Sequence, residues 1–345
     1  MNSIRKRPLG KTGLEVSEVG LGGVFISERK TARDEAIRIV HRALELGVNY
    51  FDTAPLYGNS QDVLGEALDG RHEQYVLGTK CGRWDWRTGP YRDLDAFKRQ
   101  FEQSLIDLRR DSVEVLYIHE ADWSVYWMDS ALPQSVCHVS LDERYDYASA
   151  PVAEFLRWAK AQGMARHLGI SGNNARLLAK VLREIEVPIE VALIAFQYSL
   201  IWRNAREHFL PAAKELGVGV VLGAPLQQGR LALPHPEWLA APNVGQPPSA
   251  GNDSQARAPA PQWMDEDLRA RFSDLYRIQA QTRLSLAELS LRFILADPDF
   301  ATVIPGAATV EQLEENVRCS EAGPLPPGVH GDLVRIGRTF DGVYV

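Results

Sequence analysis

Four polar residues, Asp52, Tyr57, Lys80 and His119, stand at or just past the C-terminal ends of apolar, strand-like runs, and together they could form a working acid. The runs are Val48-Asn49-Tyr50-Phe51, Tyr75-Val76-Leu77-Gly78-Thr79 and Val113-Glu114-Val115-Leu116-Tyr117-Ile118, separated by helix-like stretches. If the strands are parallel neighbours, the four side chains converge on one rim. A free phenol titrates near ~10, so Tyr57 needs a nearby cation to give up a proton near neutrality. Lys80 can be that cation, Asp52 can hold it charged and aimed, and His119 can hydrogen-bond the substrate oxygen that Tyr57 protonates. Such a group suits reduction of a carbonyl. An Asp and a Tyr alone would more simply end a strand and pack nearby; Lys80 and His119 at successive strand ends tip the reading towards chemistry.

The elements that must position them alternate. Strand-like and helix-like segments follow one another from near residue 18 to near residue 318, the pattern of parallel βαβ units. Strands are expected at about 18–22, 48–51, 75–79, 113–118, 166–170, 191–196, 218–223 and 301–304. Helices are expected near 32–46, 60–69, 93–109, 150–162, 174–185, 203–216, 285–296 and 309–319. Eight such strands predict an α/β fold, a closed (β/α)8 TIM barrel, with residues 1–345 as one domain. Ser285-Leu286-Ala287-Glu288 and Thr309-Val310-Glu311-Gln312 read as capping boxes, and Gly47, Gly163 and Gly217 stand where helices should end. Residues 7–17 predict a short N-terminal β-hairpin closing the barrel bottom. Two long connections, 119–149 and 224–264, follow strand ends and so belong to the C-terminal face, where long loops carry function. The second is rich in proline, and its stretch 243–260 is expected to be flexible or to order over a ligand; 320–345 is read as a C-terminal tail.

Composition removes several classes of function. The chain carries a net charge of -7 with Lys and Arg scattered, which gives nucleic acid no electrostatic footing. No run of about 18 apolar residues is present, so no membrane span is expected. Cys81, Cys137 and Cys319 form neither a C-x-x-C pair nor a metal-ligand pattern, and the charged start leads into Leu9-Gly10-Lys11-Thr12-Gly13 rather than an apolar secretory core; both fit the cytoplasm. His138, His208 and His235 have no metal-ligand spacing. Hydrolysis by paired carboxylates would leave Asp52 only Glu120 or Asp122 as a partner.

Over residues 7–318 the chain resembles the aldo-keto reductase superfamily. The resemblance is carried by Pro8-Leu9-Gly10-Lys11-Thr12-Gly13-Leu14, Gly47-Val48-Asn49-Tyr50-Phe51-Asp52-Thr53-Ala54-Pro55-Leu56-Tyr57-Gly58 and Gly78-Thr79-Lys80-Cys81-Gly82, then by Gly169-Ile170-Ser171-Gly172-Asn173 and Val303-Ile304-Pro305-Gly306-Ala307. It implies a (β/α)8 barrel, hydride transfer between a nicotinamide and a carbonyl or alcohol, and a catalytic tetrad of Asp52, Tyr57, Lys80 and His119. Within the superfamily, Thr79-Lys80-Cys81-Gly82-Arg83 and Gly223-Ala224-Pro225-Leu226 followed by Pro236-Glu237-Trp238 are similar to the L-galactose and D-threo-aldose dehydrogenases, which implies a sugar or sugar-like substrate.

The resemblance also implies a cofactor site. Ser171, Asn173 and Gln197 would hold the carboxamide, which needs both a donor and an acceptor. Gly23, Gly223, Pro225, Leu226, Gly229, Ile304 and Gly306 would line the site, and Gln312, Glu315 and Asn316 match adenosine-contacting positions. Helix capping competes for Ser171, Asn173 and Gln312, and a solvated helix face for Glu315. Amides near Thr309 could receive a phosphate or a ribose edge. Many NADP-using relatives place a Lys or Arg where this chain has Gly306, Ala307 and Ala308, so NAD becomes at least as plausible as NADP unless Arg230 or Arg257 supplies the charge. Trp84, Trp86, Trp123 and Tyr126 would surround the rim as candidate substrate contacts, with packing between loops as the rival explanation. A nicotinamide-binding regulatory subunit with little turnover is the alternative function.

Overall fold

The computed structural model describes residues 4–71, 74–85, 87–128, 138–236, 239 and 264–339. A hairpin of β1 (Lys6–Pro8) and β2 (Glu15–Ser17) precedes eight parallel strands in sequence order: β3 (Leu21–Gly22), β4 (Tyr50–Asp52), β5 (Val76–Cys81), β6 (Val113–Ile118), β7 (Ala165–Gly172), β8 (Val191–Ala195), β9 (Gly219–Gly223) and β10 (Thr302–Ile304). The circle closes where Val19 bridges Val303 in parallel: Gly20 N donates to the Val303 carbonyl at 2.8 Å and Val303 N to the Glu18 carbonyl at 3.0 Å. This is the expected (β/α)8 barrel.

Alternation along the strands divides the core in two. Tyr50, Val76, Val115, Tyr117, Val191, Leu193 and Val221 point into the barrel, where Leu9 and Val16 of the hairpin region join them and close the lower end. The neighbours Phe51, Leu77, Leu116, Ile118, Ala192, Ile194 and Leu222 face outward into the layer shared with the helices. With both faces covered, these strands read as continuous apolar runs. Inside, the hydroxyls of Tyr50 and Tyr117 share a 2.5 Å hydrogen bond.

The helices are α1 (Arg33–Glu45), α2 (Ser60–Leu68), α3 (Leu94–Asp107), α4 (Pro151–Ala161), α5 (Ala175–Glu184), α6 (Leu210–Leu216), α7 (Glu266–Thr282), α8 (Leu286–Leu295), α9 (Val310–Glu321) and α10 (Pro327–Ile336). Ser285 and Thr309 cap α8 and α9, accepting from the amides of Glu288 and Gln312. Gly47, Gly163 and Gly217 take φ of 83°, 73° and 70°, the left-handed exit that glycine adopts without penalty. The expected helix at 203–216 divides into a wide turn over Ala205–Phe209 and then α6, whose first turn contains Pro211; a residue without an N–H cannot continue the regular ladder.

Two helices went unanticipated. α7 starts at Asp265, which accepts from Leu268 N, and buries Leu268, Phe272, Leu275 and Ile278 at helical spacing. α10 lies within the segment read as a tail. The stretch 243–260 lies outside the described residues.

Candidate active site

Asp52 ends β4, Lys80 lies within β5 opposite Tyr117, and His119 follows β6, so the parallel register brings the three to the same rim. Tyr57 reaches it from the loop after β4, in a turn fixed by a 3.0 Å bond from its amide to the Ala54 carbonyl. The Lys80 ammonium is buried and fully engaged: it donates to Asp52 Oδ1 at 2.8 Å, Asp52 Oδ2 at 2.7 Å and the Thr53 carbonyl at 2.9 Å. Its Nζ lies 4.8 Å from the centroid of the Tyr57 ring. The ring of His119 stands edge-on to Tyr57, with centroids 5.7 Å apart.

Burial governs the electrostatics of this group. Removal from water depresses the Lys80 ammonium, but the Asp52 carboxylate, with the Tyr57 hydroxyl after it, outweighs that and holds the pKa above the usual lysine value. Lys80 therefore stays a cation. Burial also lifts the Asp52 carboxyl, against the pull of Lys80. Sequence reasoning expected Lys80 to bring the phenol below its ordinary value. Instead burial raises Tyr57, and the attraction of Lys80 only limits the rise, so the resting phenol is protonated. His119 is pushed well below the usual imidazole value, first by burial and then by the positive charges of Lys80 and Arg83, so the ring is neutral at pH 7. Its Nδ1 has no hydrogen-bond partner among the described residues.

A second layer ties the strand ends together. The buried Tyr126 hydroxyl donates to the His119 carbonyl at 2.7 Å and accepts from the Arg83 amide at 2.8 Å. Gly82, at φ 82°, leaves room for that hydroxyl, which a Cβ would strike. Glu120 pairs with Arg83 and accepts from Asn173 Nδ2 at 2.9 Å, while the Arg83 guanidinium stacks 3.9 Å above the Trp123 ring. Arg83 and Glu120 both hold left-handed backbone, as do Phe196, Ala224, Gln227 and Gln228 after later strands, so strained backbone recurs at this mouth. The residue types give no hint of it, and sequence reasoning missed the Arg83–Glu120 pair. Asp122 is buried and accepts the Asn173 and Asn174 amides at 2.9 and 2.8 Å; burial lifts its carboxyl to about 6. Glu120 and Asp122 thus serve the loops rather than pairing with Asp52.

The aromatic expectations divide. Tyr126 is fully buried behind the rim and supports the site instead of presenting a ring to substrate, which corrects its assignment as a substrate contact. Trp84 is half-buried against Tyr91 and Phe97, and Trp123 lies under Arg83. Trp86 lies outside the described residues. Tyr126→Phe would leave the His119 carbonyl and the Arg83 amide short of a partner. We expect a loss of about 1–3 kcal/mol in urea unfolding, and a loss too small to measure would contradict the bracing role.

The carboxamide trio retains matching capacity. Ser171 Oγ donates to the Ile118 carbonyl at 3.1 Å and accepts from the Glu120 amide at 3.1 Å, leaving one lone pair. Asn173 uses its Nδ2 on Glu120, and Gln197 uses its Oε1 on the Ala175 amide at 3.3 Å. Among the described residues the Asn173 oxygen and the Gln197 nitrogen remain, an acceptor and a donor, which suits a carboxamide. Near Leu226 and Gly229, the buried Gln227 Oε1 has no partner among the described residues, and a Cβ on Gly229 would meet nothing within 4 Å. Gly23 and Gly306 are glycines for a different reason, since a Cβ would strike the Asp52 carbonyl in one case and the Phe25 ring in the other. Gln312 and Glu315 accept from the Ala308 amide and the Ser285 hydroxyl, and Asn316 donates to the Gly306 carbonyl at 3.5 Å. Among the described residues no cluster of metal-ligating side chains occurs, and no helix is long and apolar enough to cross a membrane.

The sequence matches the Aldo/keto reductase family over residues 18–337. The uncharacterized oxidoreductase YqkF of Bacillus subtilis (strain 168) is 28% identical over 330 residues, covering 93% of each chain. L-galactose dehydrogenase of Arabidopsis thaliana is 28% identical over 328 residues, covering 92% of this chain and 88% of the relative. The solved holo form of the aldo-keto reductase AKR11C1 from Bacillus halodurans superposes with a TM-score of 0.69 at 26% identity, covering 99% of this chain and 98% of that one.

Proposed function

The chain belongs to the aldo/keto reductase family and is an NAD(P)-dependent oxidoreductase, and on that premise we propose that it works on the carbonyl or lactol carbon of a sugar or sugar-like substrate. The observation that carries the chemistry is the buried Lys80 ammonium, fixed by Asp52 and the Thr53 carbonyl against the Tyr57 ring, with a neutral imidazole beside it. Bound nicotinamide supplies or accepts the hydride. In reduction Tyr57 gives its proton to the substrate oxygen, and in oxidation it takes one back, with Lys80 stabilising the phenolate. His119, uncharged, donates one hydrogen bond that orients that oxygen. Ser171, Asn173 and Gln197 orient the carboxamide, and Gly306, Gln312, Glu315 and Asn316 place the adenosine end along the start of α9.

The sugar reading rests on the similarity to L-galactose dehydrogenase and on the polar rim, where the Arg83–Glu120 ion pair lies next to His119. Buried free thiols at Cys81 and Cys319 suit the cytoplasm. Titration with NADH and then NADPH should quench tryptophan fluorescence, and panels of aldoses and simple aldehydes should turn over. Saturable quenching with no turnover on either panel would favour a binding subunit and sink this proposal.

A further inference from the structure

The start of α9, where free amides were expected, is already filled by the chain's own acceptors. Ala308 N donates to Gln312 Oε1 at 2.8 Å, Gln312 N to Thr309 Oγ1 at 3.3 Å, and Val310 N to Glu35 Oε1 at 3.2 Å. Glu35 comes from the first turn of α1, 275 residues earlier in the chain, and is half-buried. Glu311 adds another carboxylate, kept below its usual range by its own backbone N–H and the Thr309 hydroxyl. Arg38, whose charge acts on Glu311, is already paired with Glu35.

We infer that Glu35 selects the dinucleotide, admitting NAD and disfavouring the extra phosphate of NADP. The inference rests on the reading above that the adenosine end lies along α9. A ribose 2′-phosphate there would meet two carboxylates and few unclaimed amides, and the helix pole that usually attracts an anion is already countered by Glu35. A ribose diol is neutral and can donate to those same carboxylates. Glu35 could hold Val310 N for stability alone, but that role needs only an acceptor oxygen, whereas selection needs its charge.

Glu35→Gln separates the two, because the amide keeps an acceptor for Val310 N and loses the charge. Dissociation constants for NADH and NADPH, measured by calorimetry without substrate, should favour NADH by about tenfold in the wild type. In Glu35→Gln that preference should shrink at least threefold, mostly through tighter NADPH binding, and raised salt should erode it in the wild type more than in the variant. Arg38→Gln removes the counter-ion from Glu35 at an exposed position and should widen the preference, which keeps the inference testable if Glu35→Gln does not fold. Ratios unchanged in both variants overturn the inference while leaving the proposed function intact. Failure of either nucleotide to bind removes the proposed function, and this inference with it.

Discussion

Tyr57→Phe should lower kcat for carbonyl reduction by about 10²–10⁴-fold while leaving NADH affinity nearly unchanged, since only the proton donor is removed and the ring still packs against His119. The wild-type pH profile follows from the raised phenol. A protonated Tyr57 is the form that reduction needs, so reduction should hold level through neutral pH and fall only in the alkaline range as the proton is lost. Oxidation needs the phenolate and should rise over that same range. His119 is already neutral at pH 7, so neither limb should show a step near the ordinary imidazole value. Stopped-flow hydride transfer against pH, in both directions, measures these slopes. A Tyr57→Phe enzyme with an undiminished rate would remove the tyrosine from the mechanism.

The four rim residues were legible because each follows an apolar run, and a parallel sheet places the ends of all such runs on one side. Boundaries shifted without moving the site: Lys80 falls inside β5 rather than beyond it, and Ser171 inside β7. α7 was legible in principle from the Asp265 cap and from Leu268, Phe272, Leu275 and Ile278, but the proline-rich run before it masked the start. The bracing around the rim was not legible. Positive φ at Arg83 and Glu120 contradicts the usual expectation of glycine there, and the contact of Glu35 with Val310 joins two helices at opposite ends of the chain. Tyr126 was placed near the site correctly but on the wrong side, because a sequence shows that an aromatic is near a strand end and not which way its hydroxyl turns. The direction of the Tyr57 shift was missed for a related reason: the type of neighbour is visible in sequence, whereas the depth of burial is set by the assembled barrel.

Asp52 and Lys80 should each be costly to lose and cheaper to lose together. Lys80→Met leaves a buried carboxylate with no counter-ion, and Asp52→Asn keeps an acceptor oxygen for the ammonium but removes its counter-charge, so each single change should destabilise by about 3–5 kcal/mol. In Asp52→Asn/Lys80→Met neither charge needs desolvation. Burial already lifts the Asp52 carboxyl in spite of its partner, which indicates that desolvation takes back much of what the pairing gives. The double variant should therefore lie well below the sum of the singles, with a coupling of about 2–3 kcal/mol in a denaturant cycle. Activity should not follow stability: without the ammonium nothing steadies the phenolate of Tyr57, so the double variant should lose less stability than the two single changes combined and still turn over no faster than Lys80→Met. Additive losses would show that the pair is not closed against water, and recovered turnover would show that the cation is dispensable for the proton transfer.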